Sequence, residues 1–172
     1  MFDKGNLKSP RSNPLTLQEI DDVISTRALE AFLQWMYRSV MRFNIDSPEV
    51  NISAAMELVR FADMHEINGL EAVMAEHIKQ ILLPEEIPFH YDGDERNTYF
   101  IKSAHIISAL NLPRGHAVRR LLATASVEGF LGNDEYKFAE LTQRYPPFGA
   151  DLLQKKEHTY RCRGSDLLPF VH

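Results

Sequence analysis

Apolar residues recur at helical spacing along most of this chain, and polar or proline-containing breaks separate the runs. Leu29, Phe32, Leu33, Met36, Tyr37 and Val40 follow the i, i+3, i+4, i+7 series of a single buried stripe. Ser25 or Thr26 supplies the cap ahead of it, and the polar run Asn44, Asp46, Ser47, Pro48 ends it. A second helix is predicted from about Ser53 to Met64, with Ala55, Leu58, Val59 and Ala62 facing inward. After a brief link at His65-Glu66-Ile67, Asn68 and Glu71 have capping-box spacing. The third stripe then reads Leu70, Val73, Met74, His77, Ile78 and Ile81, and Pro84 stops it.

The segment 84–96 breaks the periodicity. It holds Pro84, Pro88, Gly93 and five acids against Arg96, a local net charge of -4 out of -5 for the whole chain. Such a run reads as a solvated linker. Helical patterning returns over 98–111, over about 116–128 (Val118, Leu121, Leu122, Ala125), in a short helix with Phe138, Leu141 and Tyr145, and after Pro146-Pro147 with Leu152 and Leu153. Gly129 to Asn133 reads as a turn, and Pro147 suits a first helical turn. Ahead of the first helix, residues 1–14 are turn-rich and Leu15-Thr16-Leu17 reads as a short strand. The expected fold class is therefore mainly α, with an α+β remnant at the start.

Composition narrows the function classes. Of 172 residues, 44% are hydrophobic and 25% charged, which suits a packed domain and argues against wholesale disorder. An acidic chain is a poor partner for a phosphate backbone or an anionic membrane. Cys162 is the only cysteine, so neither an internal disulfide nor a cysteine-built zinc site forms. The expected compartment is intracellular, cytoplasm or nucleus, because the first residues carry no apolar leader and no run reaches the roughly 20 residues that span a bilayer.

Candidate chemistry is sparse. No phosphate-cradling glycine loop and no nucleophile elbow occur. His65-Glu66 begins a zinc-protease pattern, but Gly69 stands where its second histidine belongs. His77 reads as a buried or half-buried neutral histidine. Helix–link–helix over 53–82 has the outline of a DNA-reading motif, yet its second helix offers Glu71 and Glu76 beside Lys79 and Gln80. The reading is no enzyme, no cofactor, no metal, and no direct contact with nucleic acid or membrane.

The stretch Leu29–Leu82 resembles the second half of a BTB/POZ domain. The resemblance rests on Phe32-Leu33-Gln34-Trp35-Met36-Tyr37, on Ala55-Met56-Glu57-Leu58-Val59-Arg60-Phe61-Ala62-Asp63, and on Ile67-Asn68-Gly69-Leu70, in that order and spacing. Residues 99–153 resemble the C-terminal helical extension of BTB proteins from filamentous fungi, through Ile101-Lys102-Ser103-Ala104-His105-Ile106, Leu112-Pro113, Val118-Arg119-Arg120-Leu121-Leu122-Ala123, Val127-Glu128-Gly129-Phe130-Leu131 and Phe148-Gly149-Ala150-Asp151-Leu152-Leu153. The resemblance implies a truncated BTB/POZ helical half (1–83), an acidic linker (84–96), a helical extension (97–163) and a tail (164–172).

It also implies that Met1 falls near the end of the family's central helix, leaving Leu15-Thr16-Leu17 as a strand without its partners, an edge open to association. Leu7, Leu15 and Leu17 are the interaction candidates by position. The implied function is protein–protein interaction, through self-association or a cullin-type ubiquitin-ligase scaffold. For the latter, Leu7-Lys8-Ser9 carries serine where the family's scaffold-binding motif has glutamate. Two alternatives remain open on the residues: an incomplete gene product with little independent function, and a chromatin- or DNA-associated BTB protein acting through a partner.

Overall fold

The computed structural model describes residues 24–83, 98–132 and 136–162. They form seven helices: α1 (Thr26–Arg38), α2 (Pro48–Met64), α3 (Leu70–Leu82), α4 (Ser103–Leu110), α5 (Ala117–Gly132), α6 (Ala139–Arg144) and α7 (Pro146–Cys162). The mainly helical class is thus observed. The Leu15-Thr16-Leu17 strand, Leu7, the linker 84–96 and the tail from 164 lie outside the described residues.

Local chemistry explains the helix ends. Ser25 caps α1, its Oγ accepting from the Ala28 N–H at 3.4 Å, while Ser25's own N–H donates to the Glu57 carboxylate of α2 at 3.1 Å. Ser47 caps α2 in the same way, and Pro48 takes the first helical position, where its missing N–H costs nothing. The second helix therefore starts five residues before the expected Ser53, because Ser47-Pro48 acts as a start signal rather than as connection. At the other end of α2, Glu66 is left-handed (φ 54°), and the Ile67 N–H reaches back to the Ala62 carbonyl at 2.8 Å. The Glu66 N–H reaches Asp63, completing a Schellman closure without glycine.

Three other expectations need correction. Gly69, not Asn68, is the N-cap of α3; it is left-handed and makes no side-chain cap bond, so the capping box does not form. Glu71 instead reaches across to α5. Helix α5 runs on to Gly132 through the expected turn at Gly129, since Phe130 still packs on the core. And α7 begins at Pro146, one residue before the proline expected to lead it.

The core is continuous from one half of the chain to the other. On α3, Leu70, Met74, Ile78 and Leu82 all turn inward, every fourth residue. This helix packs on α2 on one side and α5 on the other, while α4 contacts α2, α5 and α7. Ile52, Leu58, Met74, Ile106, Leu122 and Leu152 join one buried cluster. Each such side chain contributes about 1.5–3 kcal/mol by leaving water. An edge-to-face series, Phe130–Tyr136–Phe138–Phe148, with centroids 5.4, 5.8 and 6.4 Å apart, closes the far end from α5 to α7 through the residues that lead into α6. Among the described residues no helix is long and apolar enough to cross a membrane.

Candidate functional site

Helix α1 lies at the margin of the bundle and rests chiefly on α2. Phe32 turns into the core, stacks on Trp35 (6.2 Å) and meets Phe61 edge-on (5.7 Å). Trp35 therefore seals the core, as its size suggests. The stripe was expected to stay buried to its end, and it does not. Met36 is 52% exposed, Tyr37 81% and Val40 46%. The periodicity is correct, but only the first two turns find a neighbour. Ser39 then adopts a left-handed conformation (φ 52°), its N–H returning to the Trp35 carbonyl, and turns the chain away. The result is an apolar patch on a helix end, beside the exposed Arg38 and Arg42.

Three histidines, His77, His105 and His116, have their pKa values lowered by burial. His105 is buried, and its Nδ1 accepts from the Lys102 N–H at 3.1 Å, so the proton sits on Nε2. That Nε2–H faces Ser53 Oγ at 2.9 Å, and the Ser53 hydroxyl donates to the Glu49 carbonyl at 3.0 Å. A nucleophilic serine needs the reverse, its own proton pointing at a bare imidazole nitrogen. Here the chain is a tie between α2 and α4. Desolvation holds the His105 pKa below its ordinary value. His77 is half-buried, as its stripe position predicts; it bonds the Asn51 side-chain oxygen at 2.8 Å, lies 4.9 Å from the Phe43 ring, and has its pKa lowered by burial.

His116 precedes α5 and caps it, Nδ1 accepting from the Val118 N–H at 3.2 Å. The neighbouring Ala117 N–H donates to the Glu71 carboxylate of α3. Two exposed donors of α5 are thus satisfied, one in cis and one from another helix. Glu71 also lies 3.9 Å from His116 Nδ1. Since that nitrogen already accepts a hydrogen bond, we read the contact as proximity and not as an ion pair; burial lowers the His116 pKa although Glu71 and Asp63 push the other way. These groups, with Glu66 and Asn68, line an acidic cleft of about 400 Å³ between the α2–α3 link and α5.

Arg119, one of an adjacent basic pair with Arg120, is buried. It sits three and four residues before Leu122 and Ala123, in the apolar register of α5, and that placement was the available signal. Its Nε donates to Asp151 Oδ2 of α7 at 2.7 Å, and its Nη1 to the carbonyls of Leu112 (2.8 Å) and Leu110 (3.3 Å). Of the expected interaction residues, none is among those described: Leu7, Leu15 and Leu17 all precede residue 24. The exposed apolar end of α1, with Met36, Tyr37 and Val40, was expected to be core. Comparison of the chain with protein-family models, with curated proteins and with solved structures returns no match.

Proposed function

We propose that this chain is a protein-interaction module of the BTB/POZ type, in which the exposed end of α1 is the docking surface. The observation that carries the proposal is the outward position of Met36, Tyr37 and Val40 together on one short stretch. Clustered apolar side chains of this size at the surface mark association sites. Tyrosine, with a large ring and a polar tip, is a frequent anchor in such contacts. Arg38 and Arg42 beside the patch suit a partner with an apolar centre and an acidic rim. The ordered resemblance over Leu29–Leu82 supports the family reading.

The test compares the full chain with Tyr37→Glu and Met36→Lys variants. Both sites are exposed, so the helix content and urea midpoint should not change. Partners captured by the wild-type chain, or self-association seen in sedimentation equilibrium, should be lost in both variants and kept in Glu30→Gln, an exposed change nearer the start of α1. If the same partners, or the same oligomer, persist in the two patch variants, the α1 end is not the docking surface.

A further inference from the structure

Helix α1 carries apolar residues on more than one side. Ala28, Ala31 and Phe32 are buried, and α2 is the helix they rest on. Leu29, Leu33, Met36 and Tyr37 form a second stripe at i, i+4, i+7 and i+8, displaced around the helix from the first. Leu29 and Leu33 are half-buried, and Met36 and Tyr37 are exposed. A surface helix ordinarily keeps one apolar stripe and turns polar residues to water. Two stripes on one helix mean two neighbours, and the chain itself supplies cover for one.

The spacing and the charges describe the missing neighbour. Positions four, three and one apart make the seam along which one helix receives the side chains of another. The stripe from Leu29 to Tyr37 is about 12 Å long, so a partner helix of about three turns covers it. An extended segment fits less well. A helix face offers no free backbone donors or acceptors, so a strand laid on it would leave its own N–H and C=O groups unpaired, whereas a helix satisfies them internally. Around the stripe Arg27, Arg38 and Arg42 are exposed, and none has an ion-pair partner among the described residues. Within α1 the only acid is Glu30. Asp63 and Glu66, at the far end of α2, line the cleft beside His116. This rim is basic although the chain's net charge is -5. We propose that the outward stripe of α1 is a helix-packing seam whose occupant is a single amphipathic helix of another protein, apolar along one face and acidic on both flanks.

This inference rests on the reading of α1 as a docking surface and adds the nature of what docks there. The probe is a labelled synthetic peptide about four turns long, with leucine at the two seam positions of each heptad and glutamate beside them. One control peptide carries lysine in place of each glutamate, and another has the same composition scrambled to remove the stripe. Fluorescence anisotropy with the full chain should show saturable binding of the glutamate peptide, binding of the lysine peptide at least about tenfold weaker, and none of the scrambled one. Tyr37→Glu should abolish the binding. The double change Arg27→Glu with Arg38→Glu should reverse the preference between the two charged peptides, with the urea midpoint held, since both sites are exposed. The proposal is overturned if the glutamate peptide does not bind, if it binds no tighter than either control, or if the arginine reversal leaves the preference as it was. If Met36→Lys and Tyr37→Glu disrupt a dimer of this chain that the glutamate peptide does not displace, a second copy occupies the seam; the docking surface then stands and the acidic helix does not.

Discussion

Replacing Asp151 by alanine should destabilise the protein by about 3 kcal/mol. Among the described residues the carboxylate is the acidic partner of Arg119, and the two side chains are 16% and 8% exposed. Their charges, about 4 Å apart at an effective dielectric near 20, attract by roughly 4 kcal/mol. The desolvation of the pair offsets much of that while both members are present. Removing one alone strands the other in the interior, which costs about 3–5 kcal/mol in buried pairs. The lower end applies here, because the Leu110 and Leu112 carbonyls still accept from Nη1.

In urea denaturation followed by circular dichroism, a slope of about 2 kcal/mol/M converts this to a midpoint lowered by roughly 1.5 M. Asp151→Asn keeps an oxygen acceptor and should fall about halfway. The double change Arg119→Met with Asp151→Leu should lie closer to wild type than Asp151→Ala does, because an apolar pair of similar size avoids the stranded charge. A loss below about 1 kcal/mol for Asp151→Ala, at unchanged slope, is the value of an exposed pair. It would show that water reaches the guanidinium freely, and the account of Arg119 as a buried group would be wrong.

Other outcomes follow from particular contacts. Glu71→Ala should cost about 1 kcal/mol by uncapping the Ala117 N–H of α5, and Glu71→Gln less, both read from urea midpoints; equal losses would show that the acceptor oxygen is not what matters. Gly69→Ala should cost about 1 kcal/mol through its left-handed backbone alone, since an added Cβ would meet Trp35 only at an ordinary 3.9 Å; Gly115→Ala, at φ +93° in open space, should cost the same, and a much larger loss at Gly69 would point to a clash instead. Burial lowers the pKa values of His77, His105 and His116 from 6.5. The unfolded chain therefore takes up these protons at a higher pH than the folded one, and the stability they contribute is present above about pH 6.5 and lost as pH falls through the lowered folded values. Urea midpoints should drop as pH falls below about 6.5, and drop less in His105→Gln; a flat profile on the acid side of 6.5 contradicts the burial of neutral imidazoles described above.

The helices were legible in the sequence because burial leaves a local trace. Leu70, Met74 and Ile78 recur every four residues, and Ser25 precedes its helix as a cap residue should. Some boundaries were not legible. Ser47-Pro48 serves equally well as a loop or as a helix start, and only the packing of Ile52 in the core decides between them. Glu71 was read with Asn68, three residues away, when its partner is Ala117, forty-six residues away.

Periodicity states which residues share a face, and nothing in it states how far along that face a neighbour extends. Met36, Tyr37 and Val40 carry the same register as Phe32, yet α2 covers the first part of α1 and leaves the rest to solvent. Likewise, the adjacent Arg119 and Arg120 are indistinguishable in composition, and the helical turn sends one into the core and the other to the surface. The sequence by itself determined that this protein is helical, acidic overall, and built from amphipathic stripes, because these properties depend on spacing and charge within one segment. Only the tertiary structure decided where an apolar stripe runs out of partners and where Arg119 meets its carboxylate on another helix. Both depend on distances between segments far apart in the chain, which packing sets and local pattern does not encode.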